Sequence, residues 1–280
     1  FALTIISSMI AIQSRSESSF YIIISIVLVI FISDHKKLFQ PFNKKVFVPV
    51  LIFIYSFYEI FTTPSTLGWS TGLPGGDPNR NMQEIWFRNI SDWPTFVTGS
   101  LGGWPLGWLD VPMPSIVYFF TMVVFISVLF RGIIETDLWK SLSIILIIAI
   151  LFFLPLRILA LGKNYVGENV QPRYFLPLLF LLVAFSMISA ENKPGISFNF
   201  PQLILIFVAS TISHAFALHF TIRRYITGSD VVDWNLNKNV EWWWDFMPSP
   251  MASWILAVIG FSTAVLIGIQ QIHKNTKVLN

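Results

Sequence analysis

The chain has 280 residues, a formal net charge of +3, 54% apolar residues and 12% charged ones. Soluble domains carry about a quarter charged residues, so this balance excludes an ordinary soluble enzyme and indicates an integral membrane protein. There is no cysteine, hence no disulfide, thiolate metal site or thiol nucleophile, and the four histidines (His35, His214, His219, His273) form no metal-ligand pattern.

The fold class read from this is all-α, a polytopic transmembrane bundle. Apolar runs occupy 1–12, 20–32, 46–63, 115–130, 141–161, 174–188, 201–220 and 252–269. A span needs about 20 residues at helical rise, so several runs need their polar flanks, and the expectation is seven to eight crossings of one transmembrane domain, 1–280. No Met precedes Phe1 and no signal peptide is visible, which points to a chain truncated at its N-terminus. Strict alternation puts the loops 34–45, 130–140 and 189–200 and the C-terminal tail on the side favoured by lysine, the cytoplasmic one. On that side fall eight lysines and one arginine; the opposite side receives two lysines and seven arginines. A guanidinium grips phosphate or carboxylate through paired hydrogen bonds, so an arginine-rich outer side suggests an anionic ligand there.

The long outer loops are 64–114, 162–173 and 221–250. Ten of the eleven tryptophans lie in them or at their membrane edges, with Trp139 on the other side. Interfacial anchoring explains single tryptophans, while so lopsided a belt also suits sugar rings and lipid headgroups. Gly75-Gly76-Asp77-Pro78 reads as a helix start, with Asp77 as cap, and predicts a surface helix over 78–92. Met82, Ile85, Trp86, Ile90 and Trp93 give its apolar face; Arg80, Glu84, Arg88 and Asp92 alternate in sign every four residues, a ladder that satisfies itself.

Charged groups in or beside apolar runs are the candidates for chemistry, since each costs roughly 2.5 to 3.5 kcal/mol in a membrane unless paired or wetted. Glu59 lies about 6 Å inside its run, fit for a base, a sugar acceptor or an arginine's partner. Arg157 follows Pro155 near the outer end of its run. Arg173 stands where the chain re-enters the membrane, and Arg223 and Arg224 follow the 201–220 run. Snorkelling explains any one of these; together they form a candidate phosphate site. His214 and His219 are five apart, which suits packing better than a metal pair. No phosphate-binding Gly-Lys-Ser/Thr loop, Gly-x-Ser-x-Gly or His-Glu-x-x-His occurs, and no basic domain for nucleic acid.

Four segments carry a family resemblance: Leu106-Gly107-Trp108-Leu109-Asp110-Val111-Pro112-Met113-Pro114; Gln171-Pro172-Arg173-Tyr174-Phe175-Leu176-Pro177; His214 to Gly228, ending Arg-Arg-Tyr-Ile-Thr-Gly; and Trp242-Trp243-Trp244 before Pro248-Ser249-Pro250. They resemble the bacterial membrane family catalogued as domain of unknown function 2142, with Pro172 where that family has glycine. The resemblance implies a protein similar to GT-C glycosyltransferases: a multi-pass protein of the bacterial cell membrane with a cytoplasmic C-terminus. Its sugar would come from a polyprenyl-phosphate donor and go to a cell-envelope glycan acceptor. It further implies that the catalytic acid residue belongs to an earlier loop, leaving Glu59 and Asp110 as weak catalytic candidates. On this reading Arg157, Arg173, Arg223 and Arg224 hold phosphate, and Trp104, Trp108, Tyr174, Trp242, Trp243 and Trp244 touch sugar or lipid. No cofactor is predicted, and a divalent metal is left open. Partners would be membrane lipids, the donor and acceptor glycans and other membrane subunits, without nucleic acid. The alternatives are a lipid-linked sugar flippase and a non-catalytic membrane subunit.

Overall fold

The computed structural model describes residues 2–15, 17–32, 44–63, 72–106, 109–134, 136–188, 197–228 and 230–279. Most of the loops 34–45 and 189–200, the stretch 64–71 and Trp108 lie outside these. Among the described residues the protein is all-helical: α1 (Ala2–Ser14), α2 (Glu17–Ile32), α3 (Lys44–Thr62), α4 (Met82–Ser91), α5 (Pro94–Thr98), α6 (Ser115–Ile133), α7 (Leu138–Leu161), α8 (Leu176–Met187), α9 (Phe200–Thr227) and α10 (Pro250–Leu279). Four of these are long and apolar enough to cross a membrane: α6, α7, α9 and the Pro250–Gln271 part of α10. The other four apolar runs also form helices, but shorter ones, over Leu3–Ser14, Glu17–Ile30, Phe47–Thr62 and Pro172–Met187. A long apolar run becomes helix because only internal backbone hydrogen bonds satisfy its amides away from water.

The chain clusters into two compact units, Phe1–Phe96 with Thr136–Ser186, and Val97–Glu135 with Met187–Asn280. In the first, α2 packs on α1, α3 and α7. The α7 helix is capped by Asp137, whose carboxylate accepts the Lys140 amide at 2.7 Å, and its face of Ile144, Ile147, Leu151, Leu156 and Leu159 is buried. Tyr21 donates its hydroxyl to the Tyr174 carbonyl at 2.5 Å, joining α2 to the turn before α8.

The segment 72–91 docks on the end of α7 and corrects the expected helix over 78–92. The helix starts at Met82, not Pro78, because Asn81 rather than Asp77 is the N-cap and accepts the Gln83 amide. Asp77 instead accepts the Asn79 amide at 2.9 Å, closing a local turn ahead of the helix. Buried Asn89 donates to the Asn164 carbonyl at 2.9 Å and accepts the Val166 amide at 3.0 Å, while Ile85 packs against Ala160 and Tyr165. Arg80 does not pair along the ladder. It forks onto Glu168 at 2.6 and 2.8 Å, and its guanidinium lies 4.0 Å from the Tyr165 ring centre. Arg88 covers the same ring at 4.1 Å and pairs loosely with Asp92 at 3.9 Å, within its helix as expected.

Arg80, aided by the Tyr165 amide, holds the Glu168 carboxyl below its ordinary range. A lowered folded-state pKa contributes stability above the unfolded carboxylate's value and loses it as pH falls through the lowered one. Measured against its intrinsic rate, exchange at the Tyr165 amide, whose N–H donates to Glu168 at 2.8 Å, should therefore be protected at neutral pH and lose that protection selectively as pH falls below the ordinary carboxylate range. A Tyr165 amide whose protection ignores acid would contradict this.

In the second unit α9 packs on α6 and α10. A capping box starts α9, with Asn199 and Gln202 exchanging side-chain and backbone bonds at 2.9 and 3.0 Å. Ser213 donates to the Val117 carbonyl at 3.0 Å and meets Thr121 at 2.7 Å, a polar hook between α9 and α6. Trp254 of α10 donates to the Ala215 carbonyl at 2.9 Å, and His214 stacks on Phe261. Expected to stop near Phe220, α9 continues to Thr227, since nothing from 220 to 227 breaks a helix. Gly228, at φ +84°, then ends it. Arg223 and Arg224 are thus helical residues near the end of α9 and not loop residues.

Candidate functional site

The second unit carries the site at the end of α9. Residues 219 and 223, and 220 and 224, stack one turn apart on the helix, so His219 lies beside Arg223 and Phe220 beside Arg224. Adjacent arginines point about 100° apart, and they meet different partners.

Arg223 is buried. Its Nη2 donates to the carbonyls of Asp233 and Asn235 at 2.7 and 2.6 Å, and its Nη1 to that of Lys238 at 3.2 Å. Expected as a phosphate holder, Arg223 has both Nη nitrogens committed to loop 230–249. That loop builds itself for the purpose. Asp233 accepts the Asn235 amide at 2.9 Å and the Lys238 ammonium at 2.8 Å, and these two donors hold its carboxyl below the ordinary range. Leu236 is fully buried, and the Glu241 amide bonds the Ile226 carbonyl at 2.8 Å. His219 Nε2 lies 3.0 Å from the Trp234 carbonyl, an acceptor only, so Nε2 carries the hydrogen of that bond. Nδ1 of His219 and Nε of Arg223 are buried without a partner among the described residues.

Arg224 takes the other direction. Its Nη2 is 3.0 Å from the Asp110 carboxylate, and its Nε donates to the Asp110 carbonyl at 3.3 Å. Asp110 reaches it from a tight turn in which Leu106 and Val111 bond each other at 3.0 and 3.3 Å and Leu109 adopts φ +67°. Both side chains are about one third exposed, at 34% and 33%. Beside the pair opens a cavity of about 230 Å³ lined by Val111, Pro112, His219, Phe220, Arg223 and Arg224 together with residues 231–234. The wall is mostly hydrocarbon. It suits an apolar group attached to a small charged head better than a many-hydroxyl sugar, whose buried hydroxyls would lack partners.

The remaining candidates divide. Trp242 and Trp244 are exposed and packed edge to face at 4.5 Å, while Trp243 donates its indole N–H to the Pro248 carbonyl at 2.8 Å. Trp104 is half-buried with its indole nitrogen unpartnered among the described residues. In the first unit, Arg157 is exposed on α7 and has no partner among the described residues. Arg173 sits half-buried in the 3-10 turn Pro172–Phe175, and Arg15 lies over the Tyr174 ring at 5.3 Å. Pro172 opens that turn, a position needing no amide hydrogen. Glu59 accepts from Thr63 at 2.7 Å and bonds Tyr55, so its partners among the described residues are hydroxyls one turn away on either side, not an arginine. Among the described residues no three acidic or histidine side chains gather as metal ligands.

Nothing in the sequence pairs Asp110 with Arg224, 114 positions apart. A family model of the predicted membrane protein family DUF2142 matches residues 1–182, more than half of the 280. The chain belongs to that family. The DUF2142 match contains Asp110 and the Arg173 turn, whereas Arg223, Arg224 and the tryptophan triplet follow its end. No curated protein and no solved structure matches the chain.

Proposed function

We propose that this DUF2142 protein is a GT-C-like membrane glycosyltransferase, moving a sugar from a polyprenyl-phosphate donor to a cell-envelope glycan. The observation that carries the proposal is Arg224 on the wall of an apolar cavity, paired with the carboxylate of Asp110: a phosphate-binding cation stands where a hydrocarbon-linked phosphate fits, with a carboxylate at its side. Arg224 holds the carrier phosphate and stabilises its charge as the sugar's anomeric C–O bond breaks. The attacking oxygen belongs to an acceptor hydroxyl, whose proton passes to a carboxylate, and polyprenyl phosphate leaves. Of the two carboxylates considered from sequence, Asp110 is the better placed, with Glu59 occupied by Tyr55 and Thr63. Arg223 shapes the cavity by tethering its loop wall. The exposed Trp242 and Trp244 rings offer faces for sugar, and the exposed Arg157 is available to lipid headgroups.

Arg224→Gln should lower transfer about tenfold at subsaturating lipid donor, the worth of a charge-assisted bond, with thermal stability nearly unchanged because the pair is substantially exposed. Equal transfer by the variant would sink the assignment of Arg224.

A further inference from the structure

We infer that Asp110 is a built-in competitor: its carboxylate occupies the oxyanion site of Arg224 until a phosphate attached to a hydrocarbon displaces it. The inference rests on the reading of the cavity as a phosphate-lipid site. The carboxylate makes a single contact with the guanidinium, Oδ2 to Nη2 at 3.0 Å; the second bond, from Nε, goes to the Asp110 backbone carbonyl at 3.3 Å. The carboxylate thus engages one corner of a fork that could hold two oxygens of one anion. Both partners are about one third exposed, in the range where ion pairs are weak and exchange readily. A phosphate brings more charge and two oxygens in fork geometry, and its attached chain removes the apolar wall of Val111, Pro112, Phe220, Val231 and Val232 from water. The neighbouring cation does not compete, since the Nη nitrogens of Arg223 are held by three carbonyls.

Displacement has a chemical consequence. The empty site keeps the Asp110 carboxylate neutralised by Arg224. Loading takes Arg224 from it and leaves the carboxylate beside the bound head, where it accepts the proton of an incoming hydroxyl. The base is exposed only when there is a leaving group to transfer from.

The test measures binding of decyl phosphate and of inorganic phosphate to the full chain in neutral-lipid nanodiscs, read by tryptophan fluorescence, without reference to transfer. Asp110→Asn removes the competing charge and should tighten binding about twofold to fivefold, the worth of an exposed ion pair, whereas a merely structural Asp110 would loosen it. Asp110→Glu should bind as the native chain does. Arg224→Gln should lose about tenfold or more, with or without Asp110→Asn. Preference for decyl phosphate over inorganic phosphate assigns the site to a lipid headgroup, and equal affinity to free phosphate; either supports displacement. Unchanged or weaker binding by Asp110→Asn of native melting temperature, alongside a loss in Arg224→Gln, would overturn the competitor role alone. Native binding by Arg224→Gln would remove the anion site itself.

Discussion

Arg223→Met should unfold the loop 230–249 at the C-terminal end of α9 while leaving the long helices of the second unit intact. Methionine matches the length of the buried stem but offers no donor, so the carbonyls of Asp233, Asn235 and Lys238 lose their partner. Hydrogen bonds to a charged donor contribute roughly 1.5 to 3 kcal/mol each, and stranded carbonyls near a buried wall cost a comparable amount. Partial recovery by water brings the expected loss to about 3 kcal/mol or more. The loop should then be cut by protease within 228–249, and Trp234 emission should change as its carbonyl bond to His219 goes. Arg223→Lys should fall between, because one ammonium cannot reproduce the spread of three acceptors. The contrast with Arg224 is diagnostic. Neighbours in sequence, they should separate cleanly, Arg223 variants losing stability and Arg224 variants losing anion affinity. A loop equally resistant to protease in Arg223→Met would contradict the tether.

Gly76→Ala should release the docked segment 72–91 from the end of α7. A β-carbon at Gly76 would overlap the carbonyl oxygens of Gly162 and Lys163, and one at Gly72 would overlap the backbone nitrogen of Gly162. Both obstacles are main chain, so neither can swing aside, and Gly72 also sits at φ +76° where a side chain is strained. Either substitution should cost several kcal/mol, about 3 or more, by pushing the strands of chain apart. The bonds that depend on their closeness would open together: Asn164 to the Leu73 carbonyl at 2.8 Å, Asn89 to Asn164, and the Arg80 fork on Glu168. Hydrogen exchange at the Val166 amide, which Asn89 accepts, gives the readout. Gly260→Ala is the control: nothing lies within 4 Å of its β-carbon position, and there the change should be neutral or slightly stabilising. Protection at Val166 that survives Gly76→Ala would show the contact to be dispensable.

The helices were legible because membrane solvation leaves an apolar run few alternatives, and among the described residues each of the eight runs read from the sequence falls on a helix to within a residue or two at its ends. Boundaries were less so, for identifiable reasons. Asp77-Pro78 and Asn81 with Glu84 at the third helical position are both start signals; the second won because Asp77 spends its carboxylate on the Asn79 amide. The end of α9 lies beyond Phe220 because the polar residues 221–227 share a loop's composition, although Gly228 carries the stop signal. The ladder of Arg80, Glu84, Arg88 and Asp92 satisfied itself on paper. In the fold, Tyr165 comes between: it donates to Glu84 at 2.7 Å and receives both guanidiniums on its ring.

Composition and periodicity alone determined that this is an all-helical membrane protein with arginines gathered around a few helix ends, because burying apolar surface and satisfying the backbone depend on residue type in order along the chain. The tertiary structure decided the partners of Arg80, Arg223 and Arg224. A guanidinium brings donors wherever it is, but its acceptors come from elsewhere: loop carbonyls 10 to 15 residues on for Arg223, a carboxylate 88 residues away for Arg80, and Asp110, 114 residues back, for Arg224. Residue type sets the charge; only the fold sets its partner, three carbonyls for the buried Arg223 and a part-exposed carboxylate for Arg224.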